Sequence, residues 1–216
     1  MDFLPYLSQS AEGHGEAPAF HVDDALGRLF DALNADGRME MATVCVTGLH
    51  GQHSRLPDRA GMTHADLTEA VTRVPLLLRL PGRQSRGLVL ARLAQGIDIA
   101  PTLADWWLRE EWSAPTGRSL RPAIVAQRVV NRIAITDGWL ADPTGGRAAV
   151  AVRCASEGSP LKVLLADDGT SLGAFRLASD PGERQSLSLS AAQLAALRAE
   201  WTEALGPQAA CLPPAR

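Results

Sequence analysis

The amino-acid sequence predicts an α/β chain in two parts: a portion of an α/β sheet with its helices, then a small antiparallel sheet closed by a terminal helix. In the first part, apolar runs of strand length alternate with stretches of helical spacing. After Pro122 the character changes to short strand-like runs separated by Gly, Asp and Pro. Near the end, a stripe of apolar residues follows a serine suited to capping a helix.

Residues 1–20 mix Gly, Pro and His without a period and read as an irregular segment. Val22, Leu26, Leu29, Phe30 and Leu33 then fall at helical spacing, and 34–37 closes that helix. The run 41–46 is rich in β-branched residues and reads as a buried strand, because strands of parallel sheets are apolar on both faces. A loop rich in Gly, His, Ser and Pro follows over 47–62. A short helix near 66–71 leads into a second buried strand, 74–80, which Pro81-Gly82 stops. Residues 88–94 suit a strand or a helical turn. Ile99, Leu103, Trp106 and Trp107 line one side of a helix over 97–108, with Pro101 in its first turn. Strand-like runs at 129–135, 148–154, 161–166 and 172–177 suit an antiparallel meander. Ser190 caps the final helix, whose stripe Leu194, Leu197, Trp201 and Leu205 faces the sheet. The expected domains are 1–20, irregular; 21–122, the α/β portion; and 123–216, the antiparallel subdomain with its helix.

The composition is ordinary for a globular chain, 46% hydrophobic and 21% charged, with a net charge of -3. Arginines greatly outnumber lysines but are scattered, so no nucleic-acid footprint is expected. Cys45, Cys154 and Cys211 form no CxxC pair, which argues against a disulfide framework or a zinc ribbon. Met1 to Glu16 lacks a basic patch followed by an apolar core, and no apolar run approaches a membrane span. A cytoplasmic location without membrane contact is therefore expected.

Several phrases occur in an informative order. They are His21 to Leu29; Val44-Cys45-Val46-Thr47-Gly48-Leu49-His50-Gly51; Leu67 to Leu76 with Arg73-Val74-Pro75; and Arg79-Leu80-Pro81-Gly82. Asp98 to Leu103, Gly117 to Leu120, and Asp180-Pro181-Gly182-Glu183 before the last helix complete the set. Together they resemble the second half of a sulfatase of the alkaline-phosphatase superfamily. The resemblance implies an alkaline-phosphatase-like α/β sheet, here partial, with a C-terminal antiparallel subdomain. It also implies sulfuric ester hydrolysis, which needs a divalent metal, a covalent nucleophile and cationic groups for the sulfuryl oxygens.

The residues depart from that pattern where the chemistry lies. The family nucleophile sits in a Cys/Ser-x-Pro-x-Arg phrase, and none of the three cysteines here is followed by one. Asp23-Asp24 lies in the first turn of its helix and suits the helix dipole rather than a metal. The second metal-binding pair of the family falls on Leu49 and His50, leaving His50 as the one candidate metal ligand. The resemblance places a sulfate-contacting lysine nine residues before Arg73, at His64, which becomes the candidate catalytic residue. No cofactor is expected for this chain, whereas the family uses a divalent ion, calcium or magnesium. A degenerate enzyme, inactive or dependent on a partner, is the expected function.

Three features admit a different reading. His50, His53 and His64 lie close in sequence and could form a transition-metal site, against the simpler reading of loop histidines. Trp106, Trp107 and Trp112 could stack on a sugar, against packing in a core or interface. A non-catalytic interaction protein is the alternative function: strand edges left open would be covered by a homo-oligomer or by a separately encoded N-terminal half.

Overall fold

The computed structural model describes residues 16–51, 67–83, 87–90, 93–108, 117–126, 132–140, 147–156 and 159–214. The chain divides into two compact units that interleave in sequence. One comprises Met1–Gly48 and Pro75–Arg86, the other Leu49–Val74 and Gly87–Arg216.

In the first unit, helix α1 (Glu16–Ala35) starts earlier than its apolar spacing suggests, since 16–20 are helical; Asp23-Asp24 therefore lies beyond its first turn, against the expected dipole position, and Asp24 pairs with Arg28 instead. Gly37, with φ 68°, turns the chain after it into a short 3-10 helix. Leu26, Phe30 and Leu33 are half-buried, while Phe20, Val22 and Leu29 stay exposed. Strands β1 (Val44–Thr47) and β2 (Leu76–Arg79) pair antiparallel in a two-stranded sheet. The expected buried strands of a parallel sheet are therefore corrected. Each has one neighbour among the described residues, so neither reaches the doubly covered position that its composition suits. The Arg79 guanidinium donates to the Ala42 carbonyl at 2.8 Å. Leu80 is buried directly before Pro81-Gly82, and Gly82 takes the left-handed φ of 67° that ends the run.

The second unit holds a four-stranded antiparallel meander in the order β3-β4-β5-β6: Ala134–Leu140, Arg147–Ser156, Ser159–Ala166 and Ser171–Arg176. The expected meander is present, with the first strand displaced toward the C-terminus. Period-two alternation decides which side chain goes to which face. Val152, Cys154, Val163 and Leu165 turn toward the final helix α5 (Ala191–Leu205) and surround Trp201, which is fully buried. Ala149, Ala151 and Leu164 meet Leu67 in a separate cluster. The α5 stripe packs on the sheet as its spacing predicts, with Leu194, Leu197, Trp201 and Leu205 all in that core. Ser190 and Gln193 form a reciprocal capping box at its start. From the middle of α5, Arg198 donates to the Pro213 carbonyl at 2.7 Å and the Gly169 carbonyl at 3.1 Å.

The second unit also holds three shorter elements. They are α2 (Glu69–Thr72), α3 (Ile99–Trp107) and α4 (Arg121–Ala126). Pro101 occupies the first turn of α3 as expected. Residues 87–90 and 93–95 form neither strand nor helix, against the expectation for 88–94. Asp98, fully buried before α3, organises this region. Its carboxylate accepts two bonds from the Arg132 guanidinium, one from the Arg118 N–H at 2.8 Å and one from the Gln95 N–H at 2.9 Å. A buried carboxylate is tolerated when each lone pair finds a donor in this way.

Candidate functional site

The sequence directs attention to His50. It is exposed, and its Nδ1–H donates to the Gly51 carbonyl at 2.8 Å, which makes Nε2 the lone-pair nitrogen of the neutral ring. The next residue explains the local path. The Gly51 N–H donates to the Val71 carbonyl at 2.7 Å, and a Cβ at position 51 would sit 1.9 Å from the Ala70 carbonyl oxygen. Only glycine lets the backbone approach α2 so closely. Leu49, at the position where the resemblance places a metal-binding aspartate, is wholly exposed and carries no donor atom.

His64 and His53 lie outside the described residues, as does Trp112. His21 is exposed on α1. Among the described residues no group of three His, Cys, Asp or Glu side chains could hold a metal ion. One imidazole beside an isobutyl group does not fit calcium or magnesium, which want six or more oxygen ligands or an octahedral oxygen shell. No step through a metal is derived from these residues.

Trp106 lies under the Arg121 guanidinium, 5.5 Å from ring centroid to carbon, while Arg121 also pairs with Asp105 at 2.8 Å. The Ser119 hydroxyl donates to Asp105 at 2.6 Å and, with Arg121, holds its carboxyl below the usual aspartate range. Trp106 is thus half-buried and engaged, whereas Trp107 is about half-exposed.

Among the described residues, a buried charged constellation stands outside the sequence expectations. Lys162, the only lysine of the chain, is buried within β5. Its ammonium lies 2.7 Å from Glu183 and 3.6 Å from Glu69. Arg153, directly opposite Lys162 in the β4–β5 register, reaches Glu69 at 2.8 Å. Glu183 in turn accepts the Glu69 backbone N–H at 3.0 Å. Two carboxylates thus bridge two cations that would otherwise repel across the strand pair. The Asp-Pro-Gly-Glu turn delivers Glu183. Asp180 accepts the N–H groups of Arg184 and Gln185, and Glu183 takes a left-handed φ of 52°. The available signal was a lone lysine inside an apolar strand, where a buried charge demands a partner. The cluster ties α2, β4, β5 and the turn together and has the character of a structural clasp.

Comparison with known proteins agrees with the resemblance. The family model described as Sulfatase matches residues 19–107. A multifunctional alkaline phosphatase superfamily protein, PehA from Trinickia caryophylli, is 29% identical over 102 residues, covering 47% of this chain and 20% of that protein. Among solved structures, a putative sulfatase from Bacteroides thetaiotaomicron is similar with a TM-score of 0.64 and 19% identity, over 95% of this chain and 47% of that one. A 2-O GAG sulfatase is similar with a TM-score of 0.66 and 20% identity, over 95% of this chain and 48% of that one. The chain therefore spans about half the length of the solved structures it matches, and its aligned stretch a fifth of the curated relative.

Proposed function

We propose that this chain, whose residues 19–107 match the sulfatase family model, is the C-terminal half of a sulfatase-type fold that does not hydrolyse esters by itself. The ancestral substrate class is an anionic ester, sulfate or phosphate, as the names of its relatives suggest. The observation that carries the reading is Leu49: an exposed hydrocarbon where the family resemblance asks for a carboxylate. The absence of any Cys/Ser-x-Pro-x-Arg phrase in the 216 residues supports it, since the covalent nucleophile must then come from elsewhere. His50 and His64 remain as imidazoles where the family keeps a metal ligand and a sulfate-contacting cation.

The test is direct. The purified chain, supplied with calcium or magnesium, is expected to release no 4-nitrophenol from 4-nitrophenyl sulfate or phosphate above the buffer rate. Isothermal titration is expected to show no stoichiometric uptake of either ion. Metal-dependent turnover, or one tightly held ion, lost in His50→Ala would overturn the proposal.

A second reading, an interaction protein, is favoured by one observation: β1 and β2 carry apolar residues on both faces, and none of them is buried.

A further inference from the structure

We propose that the open edge of β3 in the second unit, with the groove beside it, docks an extended segment of another polypeptide that carries a basic side chain. The surface lies in the antiparallel meander and stands apart from the question of ester hydrolysis.

The hydrogen bonds define the edge. In an antiparallel pair, residues whose N–H and C=O face the partner strand alternate with residues whose groups face away. The Ile135 N–H turns away from β4, because it donates to the Gln95 side-chain oxygen at 3.1 Å. The Gln95 side-chain nitrogen donates back to the Ile133 carbonyl at 3.5 Å. One carboxamide thus sits where the peptide group of a neighbouring strand would sit, and it covers the start of the edge alone. The same alternation turns the N–H and C=O of Asp137 and Trp139 outward. Among the described residues no backbone group pairs with Asp137 on that side. The opposite edge of the sheet differs. Along β6, the Ala174 carbonyl accepts the Leu187 N–H at 2.7 Å, and the Ala174 N–H donates to the Ser186 hydroxyl at 3.3 Å. The chain closes that edge itself and leaves the β3 edge as a template for another strand.

Charge selects the occupant. Asp137 lies directly opposite Val150, so its side chain is on the sheet face that packs against α5. On that face Ala148, Val150, Leu212 and Pro213 give a groove its apolar part, and Asp137 and Asp167 are the charged residues that line it. A strand added beside β3 places alternate side chains on the same face, with the residue opposite Asp137 at the groove. An arginine or lysine there meets a carboxylate and lays its aliphatic stem on apolar surface. An acidic strand meets repulsion. So does a second copy of this chain, because two β3 edges paired about Asp137 set one aspartate against the other. The acid that guards the edge against self-pairing is also what admits a basic partner.

The experiment uses the full 216-residue chain and three probes, each acetylated and amidated: the peptide Thr-Val-Arg-Val-Thr, the same peptide with glutamate for arginine, and arginine alone. Calorimetry reads affinity, and hydrogen exchange reads the Asp137 and Trp139 amides. The arginine peptide at saturation is expected to slow those two amides at least about tenfold, and the glutamate peptide to leave them unchanged. Asp137→Lys, on an exposed side chain, is expected to keep the circular dichroism of the parent. It is expected to weaken the arginine peptide at least about tenfold and to bind the glutamate peptide in its place. If that variant does not fold, Asp137→Asn replaces it, with a weakening of at least about threefold expected. Unchanged exchange with the arginine peptide overturns the proposal, as does equal binding of the two peptides by the parent. Undiminished binding of the arginine peptide by the variant overturns it too. So does blocked arginine that binds as tightly as its peptide, which marks a site for small cations, or a homodimer that protects the same amides without peptide.

Discussion

Lys162→Met removes the cation at the centre of the buried clasp while keeping the volume and the apolar stem. Glu183, only 3% exposed, then loses the ammonium 2.7 Å away, and Glu69 loses the one at 3.6 Å. Arg153 still faces Glu69, and the Glu69 N–H still faces Glu183, so the loss falls on the Glu183 charge. Removing one member of a buried pair costs roughly 3–5 kcal/mol, because the other charge is left in low dielectric. For a chain of this size each kcal/mol moves Tm by about 2–4 °C, so a fall of roughly 6–20 °C is expected. Replacing both members, as Lys162→Met with Glu183→Gln, deletes the stranded charge and is expected to recover more than half of the loss. Urea unfolding followed by circular dichroism checks both. A single variant within about 1 kcal/mol of the parent, or a double variant no better than the single, would refute the clasp as an energetic unit.

Three further outcomes are expected. Gly51→Ala pushes a methyl against the Ala70 carbonyl and should cost about 1–3 kcal/mol, read as faster exchange of the Gly51 and α2 amides; unchanged exchange would remove the close approach from the argument. Burial, and secondarily the Glu200 carboxylate, raises the Cys154 thiol, so its reaction with a disulfide reagent should trail that of exposed Cys211 by more than roughly tenfold until the chain unfolds. The folded thiol titrates above the unfolded one. Its contribution to stability is thus intact below the ordinary thiol range and is lost as pH rises through the raised value; a Cys154→Ala variant that keeps the same alkaline loss would contradict this. Ser119→Ala should return the Asp105 carboxyl toward its ordinary value by removing the largest cause of its depression, read by carbon NMR titration; an unmoved titration would assign the depression to Arg121 instead.

The parts legible in the sequence were those set by local periodicity. Ser190 with Gln193, and the stripe ending in Trp201 and Leu205, define α5 without reference to anything distant. Pro81-Gly82 and Asp180 to Glu183 announce turns through backbone constraints that act over a few residues. Pairing partners were not legible in the same way. The runs around Val44 and Leu76 have the composition of covered parallel strands, yet their hydrogen-bond partner is decided by which segments meet in space. The clasp was hidden for a related reason: Glu69, Lys162 and Glu183 are far apart in sequence, and a lysine's partner is not encoded at a fixed offset. His50 was found by position within a phrase; its Nδ1 faces the Gly51 carbonyl, and the Leu49 side chain beside it offers no ligand atom.

The solitary lysine makes the chain a self-contained chronometer. Every other basic side chain is a guanidinium or an imidazole, so an endoprotease specific for lysine has one place to cut, between positions 162 and 163 in the middle of β5. That bond is hydrogen-bonded on both sides to neighbouring strands and is sealed from solvent. Scission therefore requires the whole meander to open, and the appearance of two fragments counts openings of that unit rather than fraying of its loops.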